Sequence, residues 1–182
     1  MDHLWSPWRL EYVISKKPDG CVFCLPAVAS AEAGPASNPA TPDLSTVASA
    51  NVDSLLVFRG DLAYVVLNLY PYNSGHLMVV PYRHESTLAG LTRDEMTEVG
   101  VLTQLSERGL REAYQLEGIN VGVNLGSSSG AGIEEHVHLH LVPRWNGDTN
   151  FMTIVGQTRV LPEAIASTAA RLRPIFERLA SR

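Results

Sequence analysis

Glu135-His136-Val137-His138-Leu139-His140-Leu141-Val142-Pro143-Arg144 holds half of the chain's six histidines, and its alternation decides how the rest is read. In an extended strand successive side chains point to opposite faces. His136, His138 and His140 would then line one surface at ~6.6–6.8 Å steps, with Val137, Leu139 and Leu141 on the other. The apolar face buries against a core, and the other face carries imidazoles. Three rings in strict alternation set like, partly charged groups side by side, which costs stability in a strand with a purely structural task. The spacing predicts a strand with a functional face.

Working outward, Ser54-Leu55-Leu56-Val57-Phe58 and Ala63-Tyr64-Val65-Val66-Leu67-Asn68 flank Arg59-Gly60-Asp61, a hairpin signal. A third strand, Gly75 to Pro81, follows the turn Pro71-Tyr72-Asn73-Ser74, and Ile119 to Asn124 alternates again. Thr92-Arg93-Asp94-Glu95 has the form of a capping box. Apolar residues at Met96, Val99, Leu102, Leu105, Leu110 and Ala113 extend it into a helix of roughly 24 residues, with Gly118 as the stop. A last helix over 161–182, opened by Pro162 and bent at Pro174, turns Ile165, Ala169, Leu172, Phe176 and Leu179 inward. The expectation is an α+β fold: an antiparallel sheet of about five strands with one long and one C-terminal helix.

At 182 residues the chain is long enough for one good core and short for two, so 1–182 reads as a single domain. Residues 25–53, rich in Ala, Ser, Pro and Thr, read as an inserted loop. The aromatic stretch 4–13 reads as an arm over an apolar edge or a subunit interface. A net charge of −5 argues against a nucleic-acid partner, which requires a basic face. No apolar run approaches the ~20 residues of a membrane span, and the N-terminus lacks a secretory pattern, so the expected address is cytoplasmic. Cys21 and Cys24 form one Cys-x-x-Cys, which in a reducing compartment suggests a metal or redox pair. The run Gly126-Ser127-Ser128-Ser129-Gly130-Ala131-Gly132 precedes the histidines, and its glycines permit backbone conformations that converge amides on an anion.

His136-Val137-His138-Leu139-His140-Leu141-Val142 resembles the motif of the histidine triad (HIT) family of nucleotide hydrolases and nucleotidyl transferases. The runs Leu67 to Pro81 and Pro143 to Phe151 look like its bacterial diadenosine tetraphosphate phosphorylase branch. The resemblance implies that His138 is the nucleophile, forming a covalent nucleotidyl-histidine, and that His140 donates to a phosphate oxygen or orients the site. It places Asn68 on the ribose; Asn120 and Asn124 lie near the expected nucleotide pocket or cap strand ends, and the loop residues Gly126, Ser128, Gly130 and Gly132, immediately before the histidine strand, line the phosphates or only turn the chain. Ser127, Ser128 and Ser129 are all candidates to protonate the leaving group. Trp145 walls off the polyphosphate end or packs at a dimer seam, and Arg83 and Arg144 contact phosphate or only solvate the surface.

The resemblance also implies a structural Zn2+ on Cys21, Cys24, His84 and His136, with His3 and His76 as substitute ligands. Mg2+ carried with the nucleotide and a homodimer complete the expectation. Phosphate as acceptor would make the chain a phosphorylase, and water a hydrolase. Related hydrolases carry Gln, Ser or Thr shortly before the triad, where this chain has Gly132, Ile133, Glu134 and Glu135. A non-catalytic nucleotide-binding protein is the alternative of another class.

Overall fold

The computed structural model describes residues 21–24, 55–148 and 163–181. Five strands, β1 (Leu56–Arg59), β2 (Ala63–Leu67), β3 (Leu77–Pro81), β4 (Gly118–Val123) and β5 (Leu139–Arg144), form one sheet in the order β1-β2-β3-β5-β4. Every pairing is antiparallel. The expected α+β architecture is the observed one. β2 and β3 are buried along their whole length, as their Val-rich sequences Ala-Tyr-Val-Val-Leu and Leu-Met-Val-Val-Pro require of central strands. β5 enters between β3 and β4, which leaves β4 at an edge.

Directly paired residues share a face. Leu67, Leu77 and Leu141 stand in one row. Gly75, near that row, lies against Leu110 and Pro143, which marks this as the side of the long helix α1 (Arg93–Ala113). The neighbouring row, Val66, Met78, His140 and Gly122, therefore belongs to the opposite face. The sheet separates the helical layer from the histidines.

The capping box of α1 is formed. Thr92 Oγ1 accepts the Glu95 N–H at 3.2 Å, and the Glu95 carboxylate accepts the Thr92 N–H at 2.7 Å. Arg83 donates to both Glu95 oxygens, at 2.8 and 2.7 Å, and chiefly for that reason the carboxyl is held down at about 2. α1 is shorter than expected. It ends at Ala113 with an extended Tyr114 as its cap, not at Gly118. Glu117 N–H already pairs with the Arg144 carbonyl, so Gly118 opens β4 instead of closing the helix. The last helix, α2 (Ile165–Ala180), is also shorter than 161–182 and carries Pro174 within it. It packs on α1 through Phe176, which comes so near Gly109 that a Cβ there would lie 2.5 Å from its ring.

The expected arm 4–13, the loop 25–53, residues 149–160 and Pro162 lie outside the described residues. No helix of the described residues is long and apolar enough to cross a membrane.

Candidate active site

The histidine strand begins later than expected. β5 starts at Leu139, so of the three histidines His140 alone belongs to the ladder, between Met78 of β3 and Gly122 of β4. The cause lies in β3. The last pair of that ladder is Val79 with Leu139, and two residues on stands Pro81, which has no N–H to give. Its carbonyl is used differently, accepting from His136 Nε2 at 2.9 Å. Val137 N–H turns to the Glu85 carbonyl at 2.6 Å. His136 and His138 thus sit in an extended run ahead of the strand, and the rings still gather. Those of His138 and His140 are 4.8 Å apart, edge to face.

The hydrogen bonds assign each ring its tautomer. His138 Nδ1 donates to the His136 carbonyl at 2.7 Å, which leaves Nε2 with a lone pair and no partner among the described residues. His76, fully buried, accepts the Tyr72 N–H on Nδ1 at 3.1 Å, with the Asn68 amide 3.4 Å from the same atom. Its proton is therefore on Nε2, which donates to His140 Nδ1 at 3.0 Å. Neutral His140 must then carry its own proton on Nε2. Burial first, and His138 second, pushes His140 down to about 4. Burial also lowers His138. Near pH 7 the pair presents a bare nitrogen beside an N–H donor.

In the sequence His76 is legible only as a substitute metal ligand. It belongs instead to the His140 side of the site, and 64 positions separate the two, so no local spacing could have paired them.

The nucleotide candidates fall into two groups. Gly122 is the partner of His140, and a Cβ on it would meet nothing within 4 Å, so open space lies beside the His140 ring. Asn120 and Asn124, two residues to either side, share that face. Asn124 and His138 stand one step beyond the last β4–β5 pair, Val123 with Leu139. Between them runs the Gly/Ser loop. Gly126 and Gly130 take φ of 75° and 83°, values that disfavour a side chain, and bracket a single turn over Ser127–Ser129. Ser129 Oγ closes that turn on the Gly126 carbonyl at 2.7 Å. Asn68 spends its Oδ1 on the Tyr70 N–H at 2.9 Å, holding the β2–β3 turn.

Trp145 is at the other end of β5 from His138 and His140, with its ring against Tyr114 and its Nε1 donating to the Gln115 carbonyl at 2.9 Å. The two arginines are also committed elsewhere, Arg83 to Glu95 and Arg144 to Asp148.

Cys21, Cys24, His84 and His136 form a separate cluster whose ligand atoms all lie within 4.8 Å of one another. Cys24 Sγ is 3.1 Å from His84 Nδ1 and 3.7 Å from His136 Nδ1, and Cys21 Sγ is 3.4 Å from the latter. A tetrahedral ion with ~2.3 Å bonds to sulfur and ~2.0 Å bonds to nitrogen spaces its S and N ligands about 3.5 Å apart, so the donor set fits such an ion. His136 Nε2–H is held by Pro81, which leaves Nδ1 unprotonated and aimed at the sulfurs. Lost hydration, then the adjacent Cys21, pushes Cys24 up to about 11, a cost that a cation among the sulfurs would relieve. His3 lies outside the described residues, and His76 is engaged with His140.

A family model described as HIT domain matches residues 49–147. A Mycobacterium tuberculosis protein named AP-4-A phosphorylase is 40% identical over 168 residues, covering 92% of this chain and 80% of that protein. A Bis(5'-adenosyl)-triphosphatase of Dictyostelium discoideum is 28% identical over 130 residues, covering 68% of this chain and 87% of its own. Among solved structures, a Zn-bound histidine triad family protein from Mycobacterium smegmatis superposes with a TM-score of 0.58 at 23% identity, over 70% of this chain and 86% of that one. A hypothetical histidine triad nucleotide-binding protein from Sulfolobus tokodaii gives 0.58 at 24%, over 69% and 85%. These likenesses agree with the sheet order and the clustered imidazoles: the chain belongs to the HIT domain family and is an enzyme.

Proposed function

We propose that the protein transfers an adenylyl group from diadenosine tetraphosphate, through His138, to inorganic phosphate. The observation that carries this reading is the hydrogen bonding of two neighbouring rings, which assigns His138 a free Nε2 lone pair and His140 an Nε2–H. In the first step His138 Nε2 forms a bond to the α-phosphorus and the bridging P–O bond breaks, releasing ATP. The ring becomes a phosphorylated imidazolium, whose Nδ1–H remains on the His136 carbonyl and stabilises the charge. His140 donates to the phosphoryl oxygens as negative charge gathers there, and the amides of the 126–132 loop are placed to assist. In the second step a phosphate oxygen attacks phosphorus, the N–P bond breaks and ADP leaves. The relative named AP-4-A phosphorylase supports this substrate and this acceptor.

Zn2+ is the ion that Cys21, Cys24, His84 and His136 fit, and it would serve structure, holding His136 and the Cys-x-x-Cys turn together. A homodimer in the cytoplasm, with Mg2+ on the polyphosphate, completes the proposal.

The test supplies diadenosine tetraphosphate with and without phosphate. ADP and ATP that form only with phosphate are expected, and AMP formed regardless would make the enzyme a hydrolase. His138→Ala should abolish turnover and the acid-labile adenylyl-protein; a variant that keeps either removes His138 from the role.

A further inference from the structure

Phe23 lies between Cys21 and Cys24 in the chain and is the one buried residue of the turn 21–24, at 8% exposure. Its ring lies 4.7 Å from the His138 ring, tilted by 47°, and 5.8 Å from the His136 ring, edge on at 76°. Its carbonyl accepts the Tyr64 hydroxyl at 2.8 Å, which ties the turn to β2 on the histidine face. Cys24 N–H closes the turn on the Cys21 carbonyl at 3.1 Å. One residue therefore meets the sheet with its carbonyl and both a metal-ligand candidate and the nucleophile candidate with its ring.

The single hydrogen bond from His138 Nδ1 holds one edge of the imidazole and leaves its plane able to rock. The Phe23 ring and the His140 ring at 4.8 Å limit that motion. In-line attack tolerates little displacement, since a shift of about 1 Å costs on the order of a hundredfold in rate.

We propose that Phe23 is a positioning residue for His138: the Cys-x-x-Cys turn presents its ring as the wall behind the nucleophile, so that whatever fixes Cys21 and Cys24 also fixes that wall. The inference rests on His138 as nucleophile. The turn reaches the histidines from more than a hundred positions away, through sulfur–imidazole neighbours and this ring. Metal loading then acts on turnover through Phe23.

The experiment compares Phe23→Leu and Phe23→Ala with the parent in metal content, thermal midpoint, kcat, KM and the long-range 1H–15N spectrum of His138. The Leu variant is expected to keep its metal and to lose about tenfold in kcat, and the Ala variant about a hundredfold, with KM within about threefold. The parent should show a single Nδ1–H tautomer and the variants a mixture. A Leu variant with parental kcat, or one whose loss lies in KM alone, overturns the proposal. So does a Leu variant that sheds its metal, because Phe23 would then serve the turn and not the nucleophile. Should Phe23→Ala fail to fold, Phe23→Leu decides alone. If the parent does not turn over dinucleoside polyphosphates, the functional reading has failed, and the tautomer comparison still decides whether Phe23 holds the ring.

Discussion

At the scale of single residues, hydrogen bonds assign each ring its proton. A backbone N–H at Tyr72 sets His76, and His76 sets His140. Replacing His76 with Phe keeps the buried ring but removes the donor, so His140 is free to move its proton to Nδ1. His76→Phe is expected to lower kcat by about tenfold or more with little change in KM, in line with the loss of a partner that orients an active group. Steady-state kinetics on variant of parental thermal midpoint checks it, and an unaltered kcat would sink the relay. His140 also predicts a pH effect. Its pKa is about 4 in the fold against an unfolded value near 6.5, so above 6.5 neither state binds the proton. Below 6.5 the unfolded chain binds it first, and stability falls as the pH drops toward about 4. Urea midpoints of parent and His140→Asn across that window should diverge; parallel curves would show that His140 is not held neutral by the fold.

At the scale of elements, what the sequence states about ends differs from what the neighbours permit. The capping box at Thr92 is local, needing only two residues three apart, and it formed as read. The stop at Gly118 was not local, because the chain past Tyr114 pairs with β5. The start of β5 was likewise decided from outside, by a proline on the facing strand. Helix packing shows the same dependence. Gly109 sits mid-helix, where glycine is unfavourable by about 1 kcal/mol relative to alanine. The Phe176 ring explains its presence, since a Cβ there would overlap the ring. Gly109→Ala is therefore expected to destabilise by roughly 1–3 kcal/mol despite its better propensity, seen as a lowered thermal midpoint. A raised midpoint would mean that α1 and α2 are not in close contact at this point.

At the scale of the molecule, the sheet carries helices on one face and the clustered histidines on the other, and the Cys-x-x-Cys turn at 21–24 is tied to that second face. Metal removal should act globally. Exhaustive chelation, checked by metal analysis and thiol titration, is expected to lower the thermal midpoint and to render Cys21 and Cys24 reactive, and Cys24→Ser without chelator is expected to lower the midpoint and to expose the Cys21 thiol. A midpoint indifferent to both would leave the four side chains as a coincidence of packing. The sequence by itself determined the sheet's strands, the capped helix, the triad and the four metal-ligand candidates, because alternation, capping and short motifs are written in neighbouring residues or in a family's shared pattern. Three features were decided by tertiary structure alone: His76 behind His140, Phe23 behind His138, and Trp145 at the far end of β5. Each joins or separates residues across pairings between strands and turns remote in the chain, and a linear pattern holds no record of which distant side chains the fold brings together.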